Sequence, residues 1–143
     1  MNQNNITILK QNDDIFYTIP NIKIISTKYA KIYIEILSFL DIIQEEDNEY
    51  NDDIQHFKSL CKTSIYNNKT SYNLSIKINN DIKCIPKNDL EKNGIYCCII
   101  QEYKYTYNQE QKIGLTISII KKVSQFIPPT YNQTLTNLIQ NNK

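Results

Sequence analysis

GIYCCIIQEYKYTYNQEQKIGLTISIIKKVSQF, residues Gly94 to Phe126, is the most strongly patterned stretch of the 143-residue chain. Two runs of β-formers, Ile95–Tyr107 and Ile113–Val123, flank the polar tract Asn108-Gln109-Glu110-Gln111-Lys112, and together they read as an antiparallel hairpin. In the second run Leu115, Ile117 and Ile119 share one face and Thr116, Ser118 and Lys122 the other, the period of two of a half-buried strand. In the first run Ile95, Cys97 and Ile99 share a face with Tyr103, Tyr105 and Tyr107. An apolar core face is thus expected to become an aromatic one, with Cys97 a small core residue.

Working outward, Asn5–Lys10 and Ile15–Ile19 read as short strands around the turn Gln11-Asn12-Asp13-Asp14. Pro20 is expected to end that run, with Ile22–Ser26 and Lys31–Leu37 as further strands. Ser38-x-x-Asp41 resembles a helix start, and Asp52 or Asp53 is placed to cap a helix over Ile54–Ile65, where Ile54, Phe57, Leu60 or Cys61, and Ile65 recur at helical spacing. A break at Tyr66–Thr70 precedes a one-sided strand carrying Leu74, Ile76 and Ile78. Ile82–Pro86 is a candidate extension of the sheet, and Gly94 fits a tight turn into the hairpin. The sum is about seven strands and one helix. The fold class is mainly β with one helix, a small Greek-key barrel of oligonucleotide-binding (OB) type, with a β-sandwich or α+β domain as alternatives. One domain spans residues 1–127, and 128–143, beginning at Pro128-Pro129, is a polar C-terminal tail, short helix or disordered.

The formal net charge is +1, yet it is unevenly spread. Asp41–Asp53 holds seven carboxylates and no lysine, leaving 16 lysines against eight acids elsewhere, a basic body with one acidic excursion. That tract reads as a solvated loop or a partner site outside the core. The four cysteines, Cys61, Cys84, Cys97 and Cys98, have no metal-binding spacing, and reduced thiols in an intracellular compartment are expected. The start, MNQNNITILK, has no signal-peptide core, and no run of 18 apolar residues exists, so a cytoplasmic protein without membrane association is expected.

Motifs of catalysis are missing. With two glycines and no arginine, neither a phosphate-cradling loop nor a guanidinium for phosphoryl transfer is available. His56 is the single histidine, stands beside no defined nucleophile, and reads as a surface or half-buried structural residue. The acidic tract lacks the ligand spacing of a calcium loop. The expectation is a non-enzyme with no catalytic residues, no metal site and no cofactor.

What remains is aromatic and basic. Tyr103, Tyr105 and Tyr107 lie on one strand face around Lys104, with Lys112, Lys121 and Lys122 on the returning strand, and Tyr33, Tyr72 and Lys77 complete the candidate set. Rings and lysines together suit sequence-tolerant binding of single strands, because every base has a π-face and every nucleotide a phosphate. Equally, tyrosines are good β-formers, and these three suit the covering of a barrel end.

Lys112-Ile113-Gly114-Leu115-Thr116-Ile117-Ser118-Ile119, completed by Lys121-Lys122-Val123, is similar to the K-x-G-[LIV]-[ST]-x-x-[LIV]-K-x-[LIV] ending of a known family. With the Ile-rich early sheet, the acidic insertion and the SYNLSIKIN strand, the chain resembles the single-stranded DNA-binding proteins of large cytoplasmic DNA viruses and yeast cytoplasmic linear (killer) plasmids. The resemblance implies an OB barrel that coats strands exposed during cytoplasmic replication. Its implied partner is single-stranded DNA, and replication proteins and a second copy of the chain are further candidate partners. The reading from another class is a protein-interaction or assembly subunit of a replication or transcription complex, docking through the acidic tract.

Overall fold

A computed structural model describes residues 5–28, 30–38, 40, 48–78, 85 and 89–123. The expected tail, the Ser38-to-Asp41 helix start beyond Ser38 and Leu40, and most of Ile82–Pro86 lie outside these residues. Seven strands and one helix follow in order: β1 (Thr7–Gln11), β2 (Asp14–Lys28), β3 (Lys31–Ile36), α1 (Asn48–Leu60), β4 (Lys62–Tyr66), β5 (Lys69–Ile78), β6 (Ile95–Tyr107) and β7 (Glu110–Lys122). The strands β2, β3, β5, β7 and β6 are neighbours in that order, and β6 pairs back onto β2. A five-stranded OB-like barrel is thereby closed, and β1 and β4 are additions to it. All pairings are antiparallel except β5 with β7, which joins Lys77 to Thr116 and Ile78 to Ile117 in parallel.

Pro20 does not end a strand. It lies inside the 15-residue β2, where the β2–β6 register shifts between Ile19 and Ile22. A proline has no N–H to give a ladder, so a bulge is where a continuous strand can hold one. The neighbouring Asn21 is clamped instead by Ser38: its N–H donates to Ser38 Oγ at 3.0 Å, and its carbonyl accepts from Leu37 N at 3.0 Å. Ser38 therefore braces this bulge. A second shift, between Ile24 and Ser26 against β3, lets one bent strand serve both neighbours of the closing barrel.

The left-handed positions in the turns are held by asparagine. Asn12, Asn67, Asn68, Asn93 and Asn108 have positive φ, as does Gln109, whereas neither glycine does. Asparagine tolerates this region because its short polar side chain bonds locally, and adjacent left-handed residues give the two-residue turns at Asn67-Asn68 and Asn108-Gln109. The glycines answer a different need, and Gly94 is not the left-handed residue of its turn. A β-carbon on Gly94 would fall 2.8 Å from Tyr96 Cε2, and one on Gly114 would fall 2.6 Å from Tyr103 Cε2. Each glycine makes room for a tyrosine ring.

The core reverses one expected parity. The interior side of β6 is Tyr96, Cys98 and Ile100, packed with Ile117 and Ile119 of β7 and with Ile19, Ile22, Ile32, Ile34 and Ile76. Cys97 and Ile99 point the other way, into a separate buried cluster with Phe16. Both sides of β6 are buried over this stretch, so alternation alone could not distinguish inside from outside.

The helix also differs from expectation. It runs from Asn48, takes in Glu49, Asp52 and Asp53, and stops at Leu60. Half of the acidic tract is thus a packed element and not a loop. Ile54 and Phe57 are fully buried, and the Phe57 ring lies 4.6 Å from that of Tyr17 in β2. Tyr50 donates its hydroxyl to the Ile6 carbonyl at 2.8 Å, and Lys10 of β1 bridges Glu49 at 2.8 Å and Asp53 at 2.9 Å. His56 Nε2 meets Glu102 Oε1 at 2.5 Å, giving a partner to a carboxyl group only 3% exposed on β6. Isolated helices of this length are marginal in water, so α1 depends on these contacts with the barrel. Beyond it Ile65 belongs to the exposed strand β4.

Candidate nucleic-acid interface

The β6–β7 ladder continues past the barrel to the pair Tyr107 and Glu110, so its outer part is a projecting two-stranded arm. Directly paired residues share a face, which puts Tyr103 with Gly114, Tyr105 with Lys112, and Tyr107 with Glu110 on one side. Lys104 with Ile113 and Thr106 with Gln111 occupy the other. The tyrosine side continues the outer cluster of Cys97 and Ile99, away from the barrel interior.

The three rings are not equivalent. Tyr103 is half-buried against Gly114, while Tyr105 and Tyr107 are 42% and 60% exposed. Tyr103 and Tyr105 are tilted at 42° with centroids 6.0 Å apart, which lets the first ring support the second. Tyr103 is therefore part scaffold, and Tyr105 and Tyr107 are the rings open to solvent. Lys112 stands cross-strand from Tyr105 and lies 3.8 Å from Glu110.

Other candidates separate into groups. Tyr33 is exposed on the outer side of β3, paired with Ser75, and Lys31 pairs with Lys77 two residues on, making a second tyrosine-and-lysine patch on the β3–β5 face. Tyr72 is half-buried against the core, with Lys58 Nζ 5.7 Å from its ring centroid, so its ring is already used. Lys121 and Lys122 do not join the tyrosines. They pair with Cys97 and Tyr96 at the opposite end of the ladder, and Lys122 binds Glu91 at 2.6 Å, a hydrogen bond that raises its pKa. Tyr96, next to Cys97 on β6, is buried, and its hydroxyl accepts from Glu91 N at 2.9 Å.

One group escaped the sequence reading. The β4–β5 hairpin carries Ile65 and Tyr66, 76% and 77% exposed, between Lys62 and Lys69. Its signal was the Asn67-Asn68 pair between two runs of β-formers, a two-residue turn. At its base a groove of about 530 Å³ is lined by Tyr33, Lys62, Asn73, Ser75 and Leu115.

Among the described residues no cluster of three or more histidine, cysteine or carboxylate side chains is arranged to hold a metal ion, and no helix is long and apolar enough to cross a membrane. Cys61, Cys97 and Cys98 are not disulfide-bonded. No protein-family model, curated protein or solved structure matches the chain.

Proposed function

We propose that the protein binds single-stranded DNA without catalysing a reaction, coating strands exposed during cytoplasmic viral or linear-plasmid replication. The observation that carries this reading is the exposed pair Tyr105 and Tyr107, with Lys112 beside Tyr105, on an arm of a closed barrel with OB strand order. Flat rings open to solvent stack on bases of any identity, and a neighbouring ammonium neutralises backbone phosphate. The Tyr33, Lys31 and Lys77 patch lies on the barrel strands that OB folds use for oligonucleotides. The replication setting rests on the resemblance of the closing strand. Docking through the acidic tract as an assembly subunit has less support, because Glu49 and Asp53 are engaged by Lys10.

Fluorescence anisotropy of a labelled oligo(dT) at two salt concentrations tests the proposal. Binding should weaken with a slope near −0.7 per neutralised phosphate, so about four contacts give a clear loss of affinity. No binding at low salt, or binding indifferent to salt, would contradict it.

A further inference from the structure

β5 and β7 are parallel neighbours only at Lys77–Thr116 and Ile78–Ile117. Traced back toward their starts they part. β7 remains with β6 as far as Glu110, while β5 pairs with β4 from Asn73 to Lys69. Since β3 pairs with Tyr72 and Asn73 of β5 as well, β4 must occupy the opposite edge, the one on which β7 lies further along. Two hairpins therefore leave one seam in the same direction. At about 3.3 Å per residue they reach ~26 Å along β5 and ~20 Å along β7 beyond it.

The chemistry of the two arms matches. Residues 62–70 and 103–114 together hold four lysines, Lys62, Lys69, Lys104 and Lys112, and one carboxylate, Glu110. Each arm bears an exposed tyrosine near its turn: Tyr66 on one, Tyr107 on the other. The groove lined by Lys62, Leu74 and Leu115 lies at the root of the fork. We infer that the β4–β5 hairpin is a second nucleic-acid arm, and that a single strand lies in the fork with Tyr66 stacking on a base and Lys62 and Lys69 facing phosphates. This rests on the function proposed above. The excess of lysine over carboxylate on both arms selects a polyanionic strand over an apolar peptide or a second copy, whose arm would carry the same charge.

The test compares wild-type protein with Tyr66→Ala and with Lys62→Gln/Lys69→Gln on labelled oligo(dT) of two lengths, alongside the molecular mass in solution. Tyr66 packs against little, so its replacement should leave the melting temperature unchanged. The expected result is a five- to hundred-fold loss of affinity for the alanine variant, larger on the longer strand. The lysine pair should reduce the salt slope by about 1.4. Wild-type binding that both variants retain in full would overturn the inference and leave the single-strand reading intact. A change in molecular mass with affinity unaltered would assign the arm to self-association, also overturning it. Failure of the wild-type protein to bind would instead strike the parent reading.

Discussion

At the scale of single residues, the glycines and the tyrosines explain one another. Gly114 holds the third position of the K-x-G motif because the Tyr103 ring covers it, so Gly114→Ala should push that ring aside and cost about 1–3 kcal/mol in chemical denaturation. Gln109 carries a φ of 67° that a side chain other than asparagine adopts at a cost. Gln109→Gly should raise stability by about 1 kcal/mol, read in the same denaturation experiment, without weakening oligonucleotide binding. Burial governs the titration of several core groups: it pushes the Cys61 thiol up to about 12 and raises Cys98, and it raises Tyr17, which also faces Glu102. A folded-state pKa raised in this way adds stability that is complete below the unfolded value, 9.0 for the thiols, and is lost as pH climbs toward the folded one. The urea midpoint should therefore fall between pH 8 and pH 11, and Cys61→Ala should make that fall shallower. An unchanged slope would show that Cys61 ionises without unfolding the chain.

At the scale of elements, the parts legible in the sequence were those in which one periodicity acted alone. The strand through Leu74, Ile76 and Ile78 follows the pattern because its other side, with Ser75 and Lys77, faces solvent, and the β6–β7 hairpin was marked by two long runs of β-formers about one polar turn. Parity in β6 was hidden since Cys97 and Ile99 are as buried as Cys98 and Ile100. The helix boundary slipped for a related reason: Ile65 continues the spacing of Ile54 and Phe57 by coincidence, while Tyr50, the true first member of that stripe, stands among carboxylates. Of the candidate site, the tyrosine row was legible as a strand face, but the separation of Lys121 and Lys122 from it follows from ladder register at a distance of many residues. Since α1 absorbs half of the acidic tract, replacing residues 45–53 by a Gly/Ser loop should abolish the Tyr50 bond and the Lys10 bridges and lower the melting temperature. A single Phe57→Ala should cost about 3–5 kcal/mol by leaving a cavity against Tyr17. If the loop replacement melts as the wild type does, the helix is not held by these contacts.

At the scale of the whole molecule, the barrel works as a rigid base from which aromatic residues are displayed. The buried isoleucines fix five strands in closed order, and closure leaves the hairpin ends with no core to enter. Large side chains at those ends are therefore exposed for want of anything to pack against, and their rings are open to a ligand. The measurement closest to this claim is the affinity of a Tyr105→Ala/Tyr107→Ala protein for labelled oligo(dT), with its melting temperature recorded beside it. Stacking is worth ~1–3 kcal/mol per base, so the pair should lose at least tenfold in affinity while melting within a few degrees of the wild type, and leucine at both positions should not restore binding. A protein that melts lower yet binds as tightly as the wild type would contradict the account, because the two rings would then be part of the packing and the strand would lie elsewhere.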